Sequence, residues 1–355
     1  MKKIVFIHLY NDFSGAPKVL SDVIKIIKKK RIKYDILTSK NYFGFLSQFK
    51  NIKNVFYKRS NNKFFTLFFY LYTQVLLFLI CIKYKNQNVL FYINTMQPCG
   101  GALAGKLIDK KVIYHIHETS FYSELYKFML KKIINLTAST VIYVSTYLKF
   151  KEKFKIRNVV IDNFVKNQKK NKNIYKKKFN ILMMCSLKQY KGVYEFFKIA
   201  KELENYKKID FNLVLNADNK EISKFFGDFK ITNNVKIYSK QKNTKKFYKY
   251  AKIVLNLSDE KKWIETSGLT ILEAMSFGVP TIGPKIGGPN NIIINDVNGY
   301  KISSKNILKI SKTIINLYSN RKLHSKISKN SYLTSKKYNY QKFEKNLLKT
   351  LKEFL

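Results

Sequence analysis

The feature that most constrains this chain is a regular alternation of short apolar runs with longer helical stretches. Over the first 165 residues the runs are rich in β-branched and aromatic residues, at 3–9, 34–37, 54–57, 89–93, 112–117 and 141–144. Segments with helical patterning separate them, at 17–29, 64–84, 101–108, 121–136 and 146–154. Such a strand–helix–strand alternation predicts a parallel sheet with helices over both faces.

A lysine- and asparagine-rich stretch at 166–178 interrupts this alternation, and its lack of apolar periodicity is typical of a linker. The alternation then restarts, with strands predicted at 179–185, 211–215, 235–238, 253–257 and 280–283. Helices are predicted at 192–203, 221–226, 244–250 and 269–277, and residues 307–355 are mostly helical. We therefore expect two domains, 1–165 and 175–335, with a helix at 340–355 that packs back on the first.

This organisation predicts the α/β class, with two doubly wound Rossmann-like domains facing each other across a cleft. Ligands of such sheets bind outside the carboxyl ends of the strands, so the cleft is the expected binding site.

The net charge of +46 would suit nucleic acid, an anionic membrane or a polyanionic substrate. Arginine, on which base recognition depends, occurs only at Arg31, Arg59, Arg157 and Arg321. Lys, Asn, Ile, Tyr and Phe are abundant together, which an AT-rich coding sequence would produce. We therefore expect no specific nucleic-acid partner. An anionic membrane surface is the expected partner of the basic surface, at about 1 kcal/mol per nearby lysine.

Residues 64–82 form a stretch of 19 residues without a charge, which is long enough to cross a bilayer. Thr66, Thr73 and Gln74 interrupt it, and predicted strands of one sheet flank it. A spanning helix would split that sheet across the membrane. We therefore expect a core helix whose apolar face lies on the membrane surface.

Cys81, Cys99 and Cys185 are far apart and odd in number, so they form neither a metal-binding spacing nor a disulfide framework. The apolar run near the start is too short for a secretory signal. The expected location is the reducing cytoplasm, peripheral at the inner face of the cell membrane.

The strongest functional signal is the segment 265–275, ETSGLTILEAM, in which Glu265 and Glu273 stand eight positions apart. Gly268 lies between them, at the expected start of a helix. Backbone N–H groups at a helix N-terminus bind anions. Carboxylates repel a phosphate but accept hydrogen bonds from sugar and ribose hydroxyls. The segment therefore predicts an anion site with two carboxylates beside it that can accept hydrogen bonds from hydroxyl groups.

Two other interpretations of this pair are open. A glycosidase needs carboxyl groups about 5 to 9.5 Å apart, whereas eight helical residues rise roughly 12 Å. An amphipathic helix with two surface glutamates is the simpler alternative. The helix start signal at Gly268-Leu269 and the helix stop signal at Phe277-Gly278 favour the interpretation as a binding site.

The segment resembles the E-x7-E signature of glycosyltransferase family 4, the "group 1" retaining enzymes of the GT-B fold. Four further segments resemble motifs of that family: FSGAP at 13–17, HIHE at 115–118, SLKQYKGV at 186–193, and the glycine turns at 287–289 and 298–300. The resemblance runs nearly end to end and is most specific in the second half.

The resemblance implies a role for each matching position. Glu273 would hold the ribose and Glu265 the hydroxyls of the donor sugar, while Lys191 would neutralise the diphosphate. The backbone N–H groups of Leu269 and Thr270, after Gly268, would bind phosphate oxygens. The remaining roles fall in the first domain, where Gly15 and Ala16 would let the backbone approach the diphosphate and His117 would contact the transferred sugar. The family implies no metal ion and no other cofactor.

The sequence departs from the family pattern at two positions. The arginine that precedes the motif lysine by five positions is replaced by Ser186, and Lys188 would have to substitute as a point charge. After Gly287-Gly288-Pro289, Asn290 stands where the family has glutamate.

Three smaller features keep a structural alternative. The Ser14-Gly15-Ala16 turn before Pro17 is also a plain helix start. His115 and His117 share one face of a strand, as a metal pair or as core and cleft residues. Trp263, the one tryptophan, either stacks on a sugar or base or fills the core.

The expected function is a hexosyltransferase acting on a nucleotide-sugar donor and a glycan acceptor, with the first domain on the acceptor side and the second binding the donor. A lipid-linked acceptor in capsule, O-antigen or lipopolysaccharide synthesis is expected from the basic surface and the apolar helix. A sugar-nucleotide epimerase of the same fold and a non-catalytic basic membrane- or nucleic-acid-binding protein are the alternatives.

Overall fold

The computed structural model describes residues 2–40, 43–60, 62–121, 123–166, 168, 178–241 and 243–355. Most of the stretch interpreted as a linker, 166–178, lies outside the described residues. The chain divides into two compact units. The first contains Met1–Asn163 and Phe343–Leu355, and the second contains Phe164–Lys342.

The first unit has a parallel sheet of seven strands among its described residues: β1 (Lys3–Ile7), β2 (Tyr34–Ser39), β3 (Ile52–Val55), β4 (Val89–Asn94), β5 (Val112–Ile116), β6 (Thr140–Tyr143) and β7 (Asn158–Val160). Their order is β3-β2-β1-β4-β5-β6-β7, with β1 paired in parallel to both β2 and β4. The strands β2 and β3 lie on one side of β1, and β4 to β7 lie on the other. The strand order therefore reverses at β1, and doubly wound sheets bind their ligands at the carboxyl end of such a switch point.

The helices of the first unit are α1 (Gly15–Lys29), α2 (Lys63–Ile82), α3 (Cys99–Leu107), α4 (Glu124–Thr137) and α5 (Thr146–Lys151). Buried residues of α2, α3 and α4 share one core with Val5 and Ile7 of β1, so these three helices cover the same face of the sheet. Gly101 of α3 allows this close packing, because a Cβ there would lie 2.3 Å from Ile7 Cδ1.

The second unit repeats the arrangement with β8 (Phe179–Cys185), β9 (Ile209–Leu215), β10 (Val235–Tyr238), β11 (Ala251–Leu255), β12 (Thr281–Gly283) and β13 (Gly299–Lys301). The order is β10-β9-β8-β11-β12-β13, and the described pairs are parallel. The switch point lies between β8 and β11.

Its helices are α6 (Val193–Glu202), α7 (Asn219–Phe226), α8 (Lys245–Tyr250), α9 (Leu269–Ser276), α10 (Pro289–Ile292), α11 (Ile307–Ser319) and α12 (Arg321–Ser335). The last helix, α13 (Tyr340–Lys352), begins at the end of this unit and continues into the first, where Phe343, Leu347 and Leu351 are buried.

The prediction of the α/β class with two parallel sheets is confirmed. The third strand was placed two residues late, at 54–57 instead of Ile52–Val55. The short strands β7 and β13 and the helix α10 were missed. These elements have three or four residues, too few to display a period.

Candidate functional site

The loop after β8 closes against the loop after β11 in the second unit. A 3₁₀ turn, Gln189–Lys191, ends at Gly192, whose φ of +81° lies in the left-handed region. A Cβ on Gly192 would lie 2.2 Å from the carbonyl oxygen of Leu257. Only glycine satisfies both conditions, so Gly192 permits the approach that brings Lys191 to the switch point.

Lys191 and Glu265 form an ion pair at this point, with 3.0 Å between Nζ and Oε2. Their side chains are 18% and 19% exposed. Burial opposes the charge on each, but the attraction between them outweighs it, so the pKa of Lys191 is raised and that of Glu265 is lowered. Both groups are therefore ionised at neutral pH.

Two glycines fix the backbone on which Glu265 stands. The Gly288 N–H donates to the carbonyl oxygen of Glu265 at 2.9 Å. Gly287 has φ +100°, and a Cβ there would lie 2.2 Å from the same oxygen. The glycine turn after β12 thus holds the loop 265–268 in one conformation.

The helix α9 begins directly after this loop. Gly268 caps it with φ +63°, a conformation that favours glycine. The N–H groups of Leu269 and Thr270 lie in the first turn, where backbone N–H groups have no partner within the helix. The Thr270 hydroxyl accepts from Asn256 Nδ2 at 3.3 Å. The N-terminal end of α9 therefore offers backbone N–H donors beside the ammonium group of Lys191.

Glu273 lies further along α9, and a buried tyrosine orients it. The Tyr248 hydroxyl, on α8, donates to Glu273 Oε2 at 2.8 Å. Tyr248 is 2% exposed and stacks on Phe277 with 5.7 Å between ring centroids. Burial, reinforced by the Glu273 carboxylate, raises the pKa of Tyr248, so this hydroxyl remains a donor.

The positions at which the sequence differs from the family pattern have the following surroundings. Lys188 is exposed, whereas Ser186 is partly buried. Asn290 Oδ1 accepts from Lys301 Nζ at 2.9 Å. The Trp263 ring stacks on Tyr190 at 5.0 Å and 16°, next to the loop that carries Lys191.

The corresponding edge of the first unit carries a neutral hydrogen-bond network. His117 follows β5, and its Nε2 lies 2.9 Å from Asn94 Oδ1. Asn94 Nδ2 lies 3.1 Å from His8 Nδ1. Burial lowers the pKa of His117 well below its ordinary value, and His115 and His8 lower it further. His117 is therefore an uncharged group at neutral pH.

Beside this network, Glu118 ties two strand ends together. Its carboxylate accepts from the Met96 N–H at 2.7 Å and from the His117 N–H at 3.2 Å. Burial raises the pKa of Glu118 to about 7. The predicted proximity of His115 and His117 holds, with 4.4 Å between ring centroids.

The glycine turn of the first unit begins α1. Gly15 is the first helical residue, and a Cβ there would contact no heavy atom within 4 Å. The carbonyl oxygen of Ala16 accepts from Asn94 Nδ2 at 3.4 Å. The start of α1 therefore lies beside the His8–Asn94–His117 network.

The structure thus gathers the predicted residues into two groups. Lys191, Glu265 and the α9 residues 268–273 surround the switch point of the second sheet, and Gly15, Ala16 and His117 lie at that of the first. Sequence reasoning missed Asn94 and Tyr248. Asn94 had a usable signal, since it is a polar residue that ends a fully buried strand.

Comparisons with known proteins give matches in sequence and in fold. Residues 164–334 match the family "Glycosyl transferases group 1". Sucrose synthase from Thermosynechococcus vestitus is 47% identical over 51 residues, which is 14% of this chain and 6% of that protein. The chain therefore spans a small part of the curated relatives it matches.

Two solved structures are similar over nearly the whole chain. HepE from Anabaena, solved in complex with UDP-glucose, has a TM-score of 0.80 at 19% identity and covers 99% of both chains. The lipopolysaccharide outer core galactosyltransferase WaaB has a TM-score of 0.70 at 17% identity and covers 100% of both chains. At these identities the likeness establishes the fold.

Proposed function

We propose that this chain is a retaining hexosyltransferase that moves a sugar from a nucleotide-sugar to a glycan acceptor. The match of residues 164–334 to the family "Glycosyl transferases group 1" supports this proposal. The observation that carries the proposal is the Lys191–Glu265 ion pair beside the start of α9, with Glu273 further along the same helix. The carboxyl edge of the second sheet thus offers a cation, backbone N–H donors and two carboxylates.

The cation and the helix start suit the diphosphate of a donor. As the bond from the anomeric carbon to the diphosphate oxygen breaks, its electron pair leaves with the diphosphate and negative charge grows there. The Lys191 ammonium and the N–H groups of Leu269 and Thr270 stabilise that charge in a fixed arrangement, which is usually the largest catalytic contribution. We propose that this arrangement does the work without a metal ion, so a chelator should leave turnover unchanged.

The carboxylates suit hydroxyl groups. Glu265 is held by Lys191 and by the Gly268 N–H at 3.4 Å, so its oxygens are oriented to accept from the sugar. Glu273, oriented by Tyr248, accepts from the ribose. Charged acceptors make stronger hydrogen bonds than neutral ones, so both residues contribute to donor affinity.

The first unit would supply the acceptor side. His117 is uncharged and fixed by Asn94, which suits contact with sugar hydroxyls through its ring nitrogens. Gly15 leaves open space at the start of α1, and Gly15 and Ala16 are the positions where we propose that the donor diphosphate approaches the backbone.

The acceptor is proposed to be a lipid-linked glycan in capsule, O-antigen or lipopolysaccharide synthesis, with the protein peripheral at the inner face of the cell membrane. The net charge of +46 supports an anionic surface. WaaB, a structural neighbour, acts on the lipopolysaccharide outer core by its description.

A thermal-shift panel of UDP-, GDP-, ADP- and CMP-sugars tests the donor site. A ligand at about 100 times its dissociation constant stabilises by roughly 2.7 kcal/mol, which raises Tm by a few degrees. We expect one nucleotide class to raise Tm, and Glu273→Ala to abolish that shift. Glu202→Ala removes an exposed glutamate from α6 of the same unit and should keep the shift.

Three results would contradict the proposal. They are no shift with any donor, an unchanged shift in Glu273→Ala, and conversion of the donor to another nucleotide-sugar without an acceptor. The last result would identify an epimerase.

A further inference from the structure

The helix α2 presents an apolar face to solvent. Its exposed large side chains are Phe64, Phe65, Leu67, Phe68, Leu71, Tyr72, Val75 and Leu79, with exposures between 48% and 70%. Among the exposed residues of α2, only Lys63, the first, is charged. A contiguous apolar patch of this kind on a protein surface marks a binding surface for a protein or a membrane.

The opposite side of α2 is fixed to the first unit. Thr73 Oγ1 donates to the Phe56 carbonyl at 2.7 Å, and Gln74 Oε1 accepts from the Gly100 N–H at 2.9 Å. A Cβ on Gly100 would lie 2.0 Å from the Gln74 carbonyl oxygen, so the backbones of α2 and α3 touch.

These contacts decide between crossing a bilayer and lying on it. Lys63–Ile82 is long and apolar enough to span, with a mean hydropathy of 2.1, and 28% of the best window is buried. Spanning would remove Thr73 and Gln74 from their partners, each at a cost of about 1–3 kcal/mol, and would expose the sheet core. The helix therefore lies along the unit, with its apolar face outward.

The helix α4 packs on α3, which also packs on α2, and it carries a second set of exposed apolar residues. A ring contact joins it to α2, between Tyr70 and Tyr126 at 5.5 Å between centroids. Its exposed apolar residues repeat at helical spacing: Leu125, Phe128, Met129 and Leu136. We call these four residues and the eight exposed residues of α2 the apolar face.

The charges around this face select its partner. Of the five lysines on α2, α3 and α4, Lys127 and Lys131 pair with the buried Glu152. The remaining charges of these helices are Lys63, Lys106, Lys132 and one glutamate, Glu124. Lys132 extends over the Phe128 ring, 4.6 Å from the ammonium to the centroid, as lysines do at a membrane interface. A second copy of this chain would bring another charge of +46 to the same place, whereas an anionic lipid surface complements it.

We propose that the apolar face docks in the plane of an anionic phospholipid surface, with α2 and α4 lying in the headgroup region and the exposed Lys63 and Lys132 contacting lipid phosphates. Aromatic residues are concentrated in the first half of α2, and such rings are preferred at the interface between lipid and water. The apolar residues enter the outer acyl layer and the charged stems stay in the headgroups.

This docking also orients the carboxyl edge of the first sheet. The Tyr70 hydroxyl, in the first half of α2, donates to the carbonyl of Gln97, three residues after β4 ends at Asn94. The segment leading into α2 reaches the same edge, where the Arg59 guanidinium lies 4.2 Å from the Tyr10 ring centroid. The aromatic end of the apolar face therefore lies on the side of the unit that carries His117.

Because the aromatic end of the apolar face and His117 lie on the same side of the first unit, the docking suggests how an acceptor would be presented. This step rests on the proposed function. A glycan anchored in the bilayer beside Phe64 and Phe68 would present its sugars at the edge that holds His117. The membrane would then deliver the acceptor by diffusion in two dimensions, and a soluble glycan without its lipid would be a poorer substrate.

Vesicle co-sedimentation at low salt tests the docking. Vesicles of phosphatidylglycerol with phosphatidylcholine are compared with phosphatidylcholine alone. The variant Phe68→Ser/Leu71→Ser should lower the partition coefficient on anionic vesicles by at least about tenfold, because it removes two inserting side chains. The matched control, Leu308→Ser/Leu333→Ser, changes exposed apolar residues of the second unit and should remain within about twofold of the parent.

Four results would overturn the docking. They are equal binding of the parent and Phe68→Ser/Leu71→Ser, equal binding to neutral and anionic vesicles, retention on membranes after alkaline carbonate washing, and a dimer in solution that the variant dissociates. The third would indicate a spanning helix and the fourth a second copy on this face. Donor binding measured without vesicles separates the two proposals, since Phe68→Ser/Leu71→Ser should keep the donor thermal shift in full.

Discussion

The carboxyl edges of the two sheets share one strand order but carry opposite chemistry. The edge of the second unit is ionic, with Lys191 and Glu265 paired at 3.0 Å and three left-handed glycines, Gly192, Gly268 and Gly287, shaping its loops. The edge of the first unit has an uncharged network of His8, Asn94 and His117 at its centre, with Glu118 and Arg59 beside it. The topology thus determines where a ligand binds, and the residues after each strand determine which chemical groups are bound.

Among the changes that test the difference between the two edges, removal of the Lys191 ammonium group should have the largest effect on activity. We expect Lys191→Met to lower kcat/KM by about 10³-fold, because a fixed donor to the developing negative charge is lost. The matched control is Lys188→Met, which removes the exposed lysine of the same loop and should cost less than about tenfold. Steady-state kinetics would measure both. A larger loss in Lys188→Met would assign the diphosphate to Lys188 and contradict the assignment to Lys191.

The glycine turns of the two edges should respond differently to an added methyl group. Gly287→Ala should lower the free energy of unfolding by about 3 kcal/mol, since φ is +100° and the Cβ would clash with the Glu265 carbonyl oxygen. Gly15→Ala should change it by less than about 0.5 kcal/mol, because its Cβ would meet open space. Urea denaturation would measure both, and similar values for the two variants would refute the description of these turns.

The partly buried Glu118 and Glu265 should give stability profiles of opposite sign. The pKa of Glu118 is raised from 4.5 to about 7 in the fold. Its stabilising contribution is therefore present below pH 4.5 and is lost as the pH rises to about 7. Relative to Glu118→Gln, the parent should lose roughly 3 kcal/mol of unfolding free energy across this range.

Glu265 supplies the opposite profile, because its pKa is lowered. Relative to Glu265→Gln, the parent should keep its advantage above the ordinary glutamate pKa and lose it as the pH falls further. Chemical denaturation at a series of pH values would measure both differences. Slopes of the same sign would show that the two carboxylates share one kind of environment.

The smallest expected effect concerns the orientation of Glu273. Tyr248→Phe removes one hydrogen bond to the carboxylate and should raise KM for the donor three- to tenfold, corresponding to about 1 kcal/mol, with kcat nearly unchanged. A general loss of folding would lower the active fraction instead, so kcat would fall while KM stayed constant. The split between KM and kcat therefore separates positioning from stability.

The sequence predicts most strands because each is a short apolar run bounded by polar residues. It also predicts the helix of the motif segment, because Gly268 marks its start and the residues after Phe277 mark its end. It does not predict side-chain partners. Tyr248 and Glu273 are separated by 25 positions, and Lys191 and Glu265 by 74, and they meet only when the strands are ordered. Local sequence patterns do not reveal such pairs, because the period of a helix or strand describes one element at a time.

The path of the chain has a consequence for its synthesis. The first unit contains residues up to Asn163 and then receives Phe343–Leu355, where Phe343, Leu347 and Leu351 fill its core and Glu344 pairs with Lys29 at 3.7 Å. On the ribosome, the second unit therefore emerges with all of its residues before the first has received its last helix. The second unit can complete its folding during translation, whereas the unit with the apolar face stays incomplete until α13 leaves the exit tunnel. A chain that stops before Tyr340 would release a first unit with an open core, vulnerable to proteolysis and aggregation.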